Sequence, residues 1–276
     1  MGVGSSKNSK KNKSNEVEII YEGDKIDKKA NGKGTLYYKN YTIKYQGDFI
    51  DGKFNGLGKY NFENGDCYIG KFKYGLREGK GIQFFSDGNI EFEGEFVNDK
   101  INNGKLISKN RQHYYIGNFE NNKFNSEGKI FLNGNNNNAL IYQGNFINGK
   151  FEGNGIFIFK ETNEYYIGNF KEGLRNGKGY QYYNNGKIQY EGIWNNDKRN
   201  GSGKYYYGNG DYFIGFWKDG VKVGIGELYD KNGNIIKGGD VSQMNIIENN
   251  SNININDFIF DNDIHSLDKY SDLIIM

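Results

Sequence analysis

The chain has 276 residues, a formal net charge of +2 and 36% hydrophobic residues, with 41 glycines, 23 tyrosines, 20 phenylalanines and no proline. That balance excludes a single thick globular core and fits a one-layer sheet of stacked rings. Charge is uneven: residues 1–15 carry +4, residues 16–239 carry +4 and residues 240–276 carry −6, so the long middle segment lacks the basic stripe that nucleic-acid binding needs.

Residues 1–15 contain no large apolar side chain beyond Met1 and Val3 and read as a disordered basic arm. Gly2 after Met1, followed by Ser6, matches the N-myristoylation pattern. One myristoyl chain binds a membrane only marginally, and Lys7, Lys10, Lys11 and Lys13 would add roughly 1 kcal/mol each beside an anionic leaflet. The competing readings of such an arm are a solubilising tail and a nuclear signal.

From Tyr21 a template recurs, shown most fully by YIGNFKEGLRNGKG at residues 166–179. It opens at Tyr21, Tyr45, Tyr68, Phe92, Tyr115, Tyr142, Tyr166, Tyr190 and Phe213, at spacings of 23 to 27 residues. A self-similar period of that size marks a repeat array. Offsets 0, 2 and 4 share one face of a strand, which puts an aromatic, a glycine and a second aromatic side by side. The expected aromatic face comprises Tyr45, Phe49, Tyr68, Phe72, Tyr142, Phe146, Tyr166, Phe170, Tyr190, Trp194, Phe213 and Trp217. At offset 2 the glycine is constant, and its bare Cα leaves room for a ring to lie over it.

Offset 7 is Gly, Asp or Asn in every repeat but the first, which has Lys28, so the strand should end there in a tight turn. Glycines at offsets 11 and 13 then open a second strand of the same parity. The fourth repeat, with Asn103 and Lys105, and the fifth, with Ser126, break that pair and should be irregular. Asn64-Gly65, Asp87-Gly88, Asn185-Gly186, Asn209-Gly210 and Asn232-Gly233 close each unit with the dipeptides that type I′ turns favour. Nine such hairpins predict an all-β, elongated single-layer antiparallel sheet about 85 Å long at 4.8 Å per strand.

The pattern resembles the MORN repeat (membrane occupation and recognition nexus), with its YxGxW/F, G and GxG signature, over residues 21–228. The resemblance implies an elongated hairpin array used in scaffolding and in membrane or cytoskeletal association, sometimes joined to a lipid-kinase or methyltransferase domain. The residues outside the array are too few for either catalytic domain.

A second periodicity overlies the first. Openings at 45, 68, 92 and 115 reappear 97 or 98 residues later, together with Leu76-Arg77 at Leu174-Arg175, Asp99-Lys100 at Asp197-Lys198 and Gln83 at Gln181, so a four-repeat block is duplicated. Asn135 to Asn138 at the junction read as a looped-out insertion and bend. Residues 240–276 form an acidic, Asn-rich tail in which Phe260, Ile264, Leu267 and Ile274 keep helical spacing behind Asp257; a short helix capping the last hairpin is expected.

Chemistry is sparse. Cys67 stands in a strand position where Tyr165 and Tyr212 occur elsewhere, and His113 and His265 have no ligand-spaced neighbours, so neither a nucleophile nor a metal or cofactor site is expected. The glycine pairs lack the Lys-Ser or Lys-Thr of a phosphate loop. The sequence thus predicts a non-enzymatic scaffold at the cytosolic face of a membrane, at the plasma membrane, cell cortex or cilium. Its partners would be membrane lipids through the N-terminus, proteins through the array, and a second copy through ring surface that a single layer leaves uncovered. The competing functions are a phosphoinositide-binding module, a cytoskeletal or axonemal component, and a regulatory part of a phosphatidylinositol phosphate kinase system.

Overall fold

The computed structural model of the protein describes residues 20–134 and 138–243. Nineteen strands run through these residues, from β1 (Tyr21–Ile26) to β19 (Ile235–Asp240), and each pairs antiparallel with the next in the chain. The result is one open meander, the all-β hairpin array that the repeat template predicts. Across the duplication junction Gly128 still pairs with Gly144, so the ladder continues from β10 (Lys123–Leu132) to β11 (Ala139–Ile147).

Each repeat is built around a pair of facing glycines. In the second, Gly47 of β3 (Ile43–Ile50) opposes Gly58 of β4 (Lys53–Asn61), and Gly58 in turn opposes Gly70 of β5 (Cys67–Lys73). Continued strand by strand, one glycine per strand forms a line from Gly23 to Gly239. The opening tyrosine lies flat over this line: a Cβ on Gly58 would stand 2.3 Å from the Tyr45 hydroxyl, and one on Gly70 2.3 Å from the Tyr68 hydroxyl. No side chain fits beneath the ring.

The tyrosine hydroxyl also has a task. Beyond the facing glycines the register shifts, as between Gly47 and Asp48, and the hydroxyl donates to the carbonyl three residues on, at that interruption. Tyr45 reaches Asp48 O at 3.0 Å, Tyr115 reaches Asn118 O at 3.0 Å and Tyr166 reaches Asn169 O at 3.1 Å. A buried polar group next to a broken ladder is thereby satisfied. Phe92 and Phe213 keep the ring without the donor.

Three expectations are corrected. The second strand starts at offset 8, earlier than the glycine pair, and the offset 11 glycine sits in a bulge within it, as at Gly56 (φ 63°) and Gly177 (φ 90°). The fifth repeat keeps that bulge by holding Ser126 at φ 58°. The fourth is irregular as expected: it has one residue fewer there, and Gly104 takes the place in the glycine line opposite Gly94. Type I′ geometry, with two successive positive φ angles, occurs at offsets 6 and 7, as at Asp51-Gly52 and Asn196-Asp197. The Asn-Gly dipeptides instead close type I turns with a glycine bulge: Gly65 N donates to Phe62 O, Phe62 N to Asp66 O, and in that turn only Gly65 has a positive φ.

The described chain ends in a 3-10 turn, Val241–Gln243, with Val241 against the core. The expected C-terminal helix and the basic arm lie outside the described residues.

Two measurements test this account. Gly168→Ala, which would place a Cβ 2.3 Å from the Tyr166 hydroxyl, should cost about 3 kcal/mol in urea unfolding, whereas Gly88→Ala, with open space around its Cβ and only a positive φ to strain it, should cost about 1 kcal/mol. Burial holds the phenols of Tyr45, Tyr68, Tyr115, Tyr142 and Tyr166 well above the usual tyrosine range. Because the unfolded chain then loses protons first, stability should be full below about pH 10 and fall steeply above it, with phenolate absorbance rising together with unfolding.

Candidate interaction surface

The inward face is a closed core. The twelve aromatic residues expected to offer ring surface to partners are each 0 to 4% exposed, so that expectation is corrected. The rings cover one another because each tyrosine, lying flat on its glycines, is met edge-on by the offset 4 ring of its own repeat and of the next. Tyr45 meets Phe49 at 5.0 Å and Phe72 at 5.2 Å; Tyr190 meets Trp194 at 5.3 Å and Trp217 at 5.2 Å. An offset 9 ring stacks on top, as Phe151 on Tyr142 at 3.8 Å. Edge-to-face contacts of this kind contribute about 1 kcal/mol each beyond their buried area.

In three repeats arginine replaces the stacked ring, at Arg77, Arg175 and Arg199. Arg175 is 1% exposed; its Nε donates to Asp197 Oδ1 at 3.1 Å, Nη2 to Asp197 O at 3.0 Å and Nη1 to Gln181 Oε1 at 3.1 Å, while its guanidinium lies 4.1 Å from the Trp194 ring centre. Arg77 repeats the arrangement with Asp99 and Gln83. Burial pushes the Asp99 carboxyl up, and the facing Arg77 works against that shift. Asp99 and Asp197 occupy the second place of type I′ turns, so these acids, which the sequence offers only as turn formers, also tie consecutive repeats together. The signal was present in the duplicated Arg, Gln and Asp, and its meaning lay in a contact 22 residues long in sequence.

With one face consumed, the accessible surface of the array is the other. Its middle row follows the ladder register directly: Ile69 pairs with Ile82, Ile82 with Glu93, Glu93 with Lys105 and Lys105 with Ile116. In the second block the order recurs as Ile167, Tyr180, Glu191, Lys204 and Ile214. Ile69, Ile116, Ile167, Tyr180 and Ile214 are exposed. A parallel row is aromatic: Tyr114 stacks on Phe131 at 4.8 Å, Tyr165 on Tyr182 at 4.6 Å and Tyr212 on Tyr229 at 4.9 Å. Lysines bridge the rows, with Lys105 Nζ 4.2 Å from the Tyr114 ring and Lys204 Nζ 3.9 Å from that of Tyr212.

Among the described residues no group of three or more His, Cys, Asp or Glu side chains is placed to hold a metal ion. Cys67 is a free, half-buried thiol whose pKa burial pushes up, and the His113 imidazole is pushed down by burial and by Lys160. A groove of about 470 Å³ lies beside Leu57, Lys71, Lys73, Tyr74 and Glu78, where no buried polar group converges. No helix among the described residues is long and apolar enough to cross a membrane. Gly2, Lys7, Lys10, Lys11 and Lys13 lie outside the described residues.

The fold and its two faces define a tandem β-hairpin repeat protein. The MORN repeat family matches nine segments: residues 21–43, 45–67, 68–90, 92–103, 115–135, 142–161, 166–188, 190–212 and 213–235. These cover well over half of the chain, which therefore belongs to the MORN-repeat family. No curated protein matches. Among solved structures, a functionally unknown protein from Desulfotomaculum acetoxidans shares 11% identity at a TM-score of 0.17 over 75% of this chain and 64% of its own, so this chain spans less than two thirds of that relative. BamB from Moraxella catarrhalis shares 7% identity at a TM-score of 0.19, over 77% of this chain and 83% of its own. Likenesses that faint carry no argument about this chain.

The repeats supply their own test of the arginine node. Where offset 9 is Phe, as at Phe124 and Phe151, offset 15 is Ile130 or Phe157 and the next turn has Gly149 or Gly173. Arg175→Phe alone leaves the buried Asp197 carboxylate and Gln181 without their partner and should cost about 3 to 5 kcal/mol. The combined change Arg175→Phe, Gln181→Phe and Asp197→Gly should recover most of that loss in chemical denaturation.

Proposed function

We propose that this protein is a non-enzymatic scaffold: a stiff MORN-repeat ribbon tethered at the cytosolic face of a membrane by its N-terminal arm, presenting its outer face to protein partners. The observation that supports the scaffold reading is the division between faces. One is consumed as core, which stiffens the array, and the other is an open, regular surface of apolar and paired charged rows. Family membership supports a scaffold or binding module. The tether rests on the N-terminal sequence, in which Gly2 and Ser6 fit acylation and Lys7, Lys10, Lys11 and Lys13 add the electrostatic attraction that one acyl chain needs.

Fractionation of the native protein beside Gly2→Ala, with the mass of the N-terminal peptide read in the same experiment, tests the tether. The expected outcome is a myristoylated wild type on membranes and a released variant. An unmodified Gly2, or a variant that stays on membranes, would contradict it.

A further inference from the structure

The middle row of the outer face has a symmetry that its sequence order hides. Across four successive strands it reads Ile82, Glu93, Lys105, Ile116, and across the matching strands of the second block Tyr180, Glu191, Lys204, Ile214. Reversed, the second set becomes apolar, Lys, Glu, apolar, which is the charge complement of the first. We propose that the outer face docks a second copy of this chain, face to face and with the order of strands reversed. The dyad runs parallel to the strands between β11 and β12 (Lys150–Ile158).

That placement sets Glu93 against the partner's Lys204 and Lys105 against the partner's Glu191. Ile82 then faces the partner's Ile214, and Ile116 the partner's Tyr180. Because the dyad is parallel to the strands, each row meets its own row, so in the aromatic row Phe131 lies against the partner's Tyr165, while Tyr114 is already buried beneath Lys105. The symmetry makes every contact occur twice, as a self-complementary interface requires. Two right-twisted sheets pack face to face with their strands aligned within about 30°, which suits a row-on-row contact. Stacking without reversal would set Glu93 on Glu93 and Lys204 on Lys204, and like charges in juxtaposition disfavour it. The exposed Ile116, Ile214 and Tyr180 would gain the cover that they lack in the single chain. This inference does not rest on the membrane tether.

Sedimentation equilibrium of the unacylated full chain at roughly micromolar concentration tests it. The wild type should be a dimer that loosens with salt. Glu93→Lys and Lys204→Glu, each striking two symmetry-related contacts, should each raise the dissociation constant about a hundredfold. An equimolar mixture of the two variants should dimerise again, because the lysine introduced at position 93 of one copy then meets the glutamate introduced at position 204 of the other. Lys204 touches the Tyr206 and Tyr212 rings, so Lys105→Glu mixed with Glu191→Lys gives a second pair should the first variant fold poorly. A monomeric wild type, variants that dimerise as tightly as the wild type, or mixtures that stay monomeric would overturn the proposal, and none of these outcomes bears on acylation of Gly2.

Discussion

Everything in this array depends on a tyrosine ring lying flat across two facing glycines. A side chain that stands upright on a strand buries only its base in a one-layer sheet. Laid over bare Cα atoms, the ring becomes the floor on which the offset 4 and offset 9 side chains stack, and it reaches 0% exposure in Tyr45, Tyr68, Tyr142 and Tyr166 without any second layer. The same ring carries the hydroxyl that satisfies the carbonyl beside the bulge. The glycine line and the ring are therefore one device, repeated, and where the ring is a tyrosine the bulge and the hydroxyl bond are part of it.

Coupling between repeats is local, as expected for a quasi-one-dimensional array. Each tyrosine touches the offset 4 ring of the next repeat, and glycine and aspartate amides at offset 7 donate to the offset 9 carbonyl of the repeat before, as Gly173 N does to Phe151 O. At Arg77 and Arg175 the offset 9 ring is exchanged for a buried ion pair with the following turn. Arg199 takes the same place without Gln or Asp: its offset 15 residue is Tyr205, the next turn has Gly220, and the guanidinium lies 4.7 Å from the Tyr205 ring centre. At Arg77 and Arg175 the Gln and Asp supply hydrogen-bond partners to the buried guanidinium.

The period, the facing glycines, the offset 7 turns and the antiparallel meander were legible because each is set by residue type at fixed spacing. The bulge was not, since Gly56 and Gly58 look alike in sequence while one supplies a positive φ and the other a bare surface. Asn64-Gly65 misled for a related reason: a type I turn with a glycine bulge and a type I′ turn both favour Asn-Gly, and loop length decides between them. The uncovered aromatic face was a mistaken inference from a correct pattern, because strand parity says which way a side chain leaves the backbone and nothing of how it then lies. The fourth repeat shows the opposite case, where Gly104 keeps its role although its offset shifts by one.

The central claim is that the aromatic face is a sealed core and the outer face is what the protein offers to others. The chain's two tryptophans, Trp194 and Trp217, both sit on the aromatic face at 4% and 2% exposure. Quenching of their fluorescence by a small neutral solute in the native protein is therefore the most direct test. The account predicts blue-shifted emission that resists quenching until the chain unfolds. Emission that is red-shifted and freely quenched in the folded protein would contradict it and return the rings to the solvent.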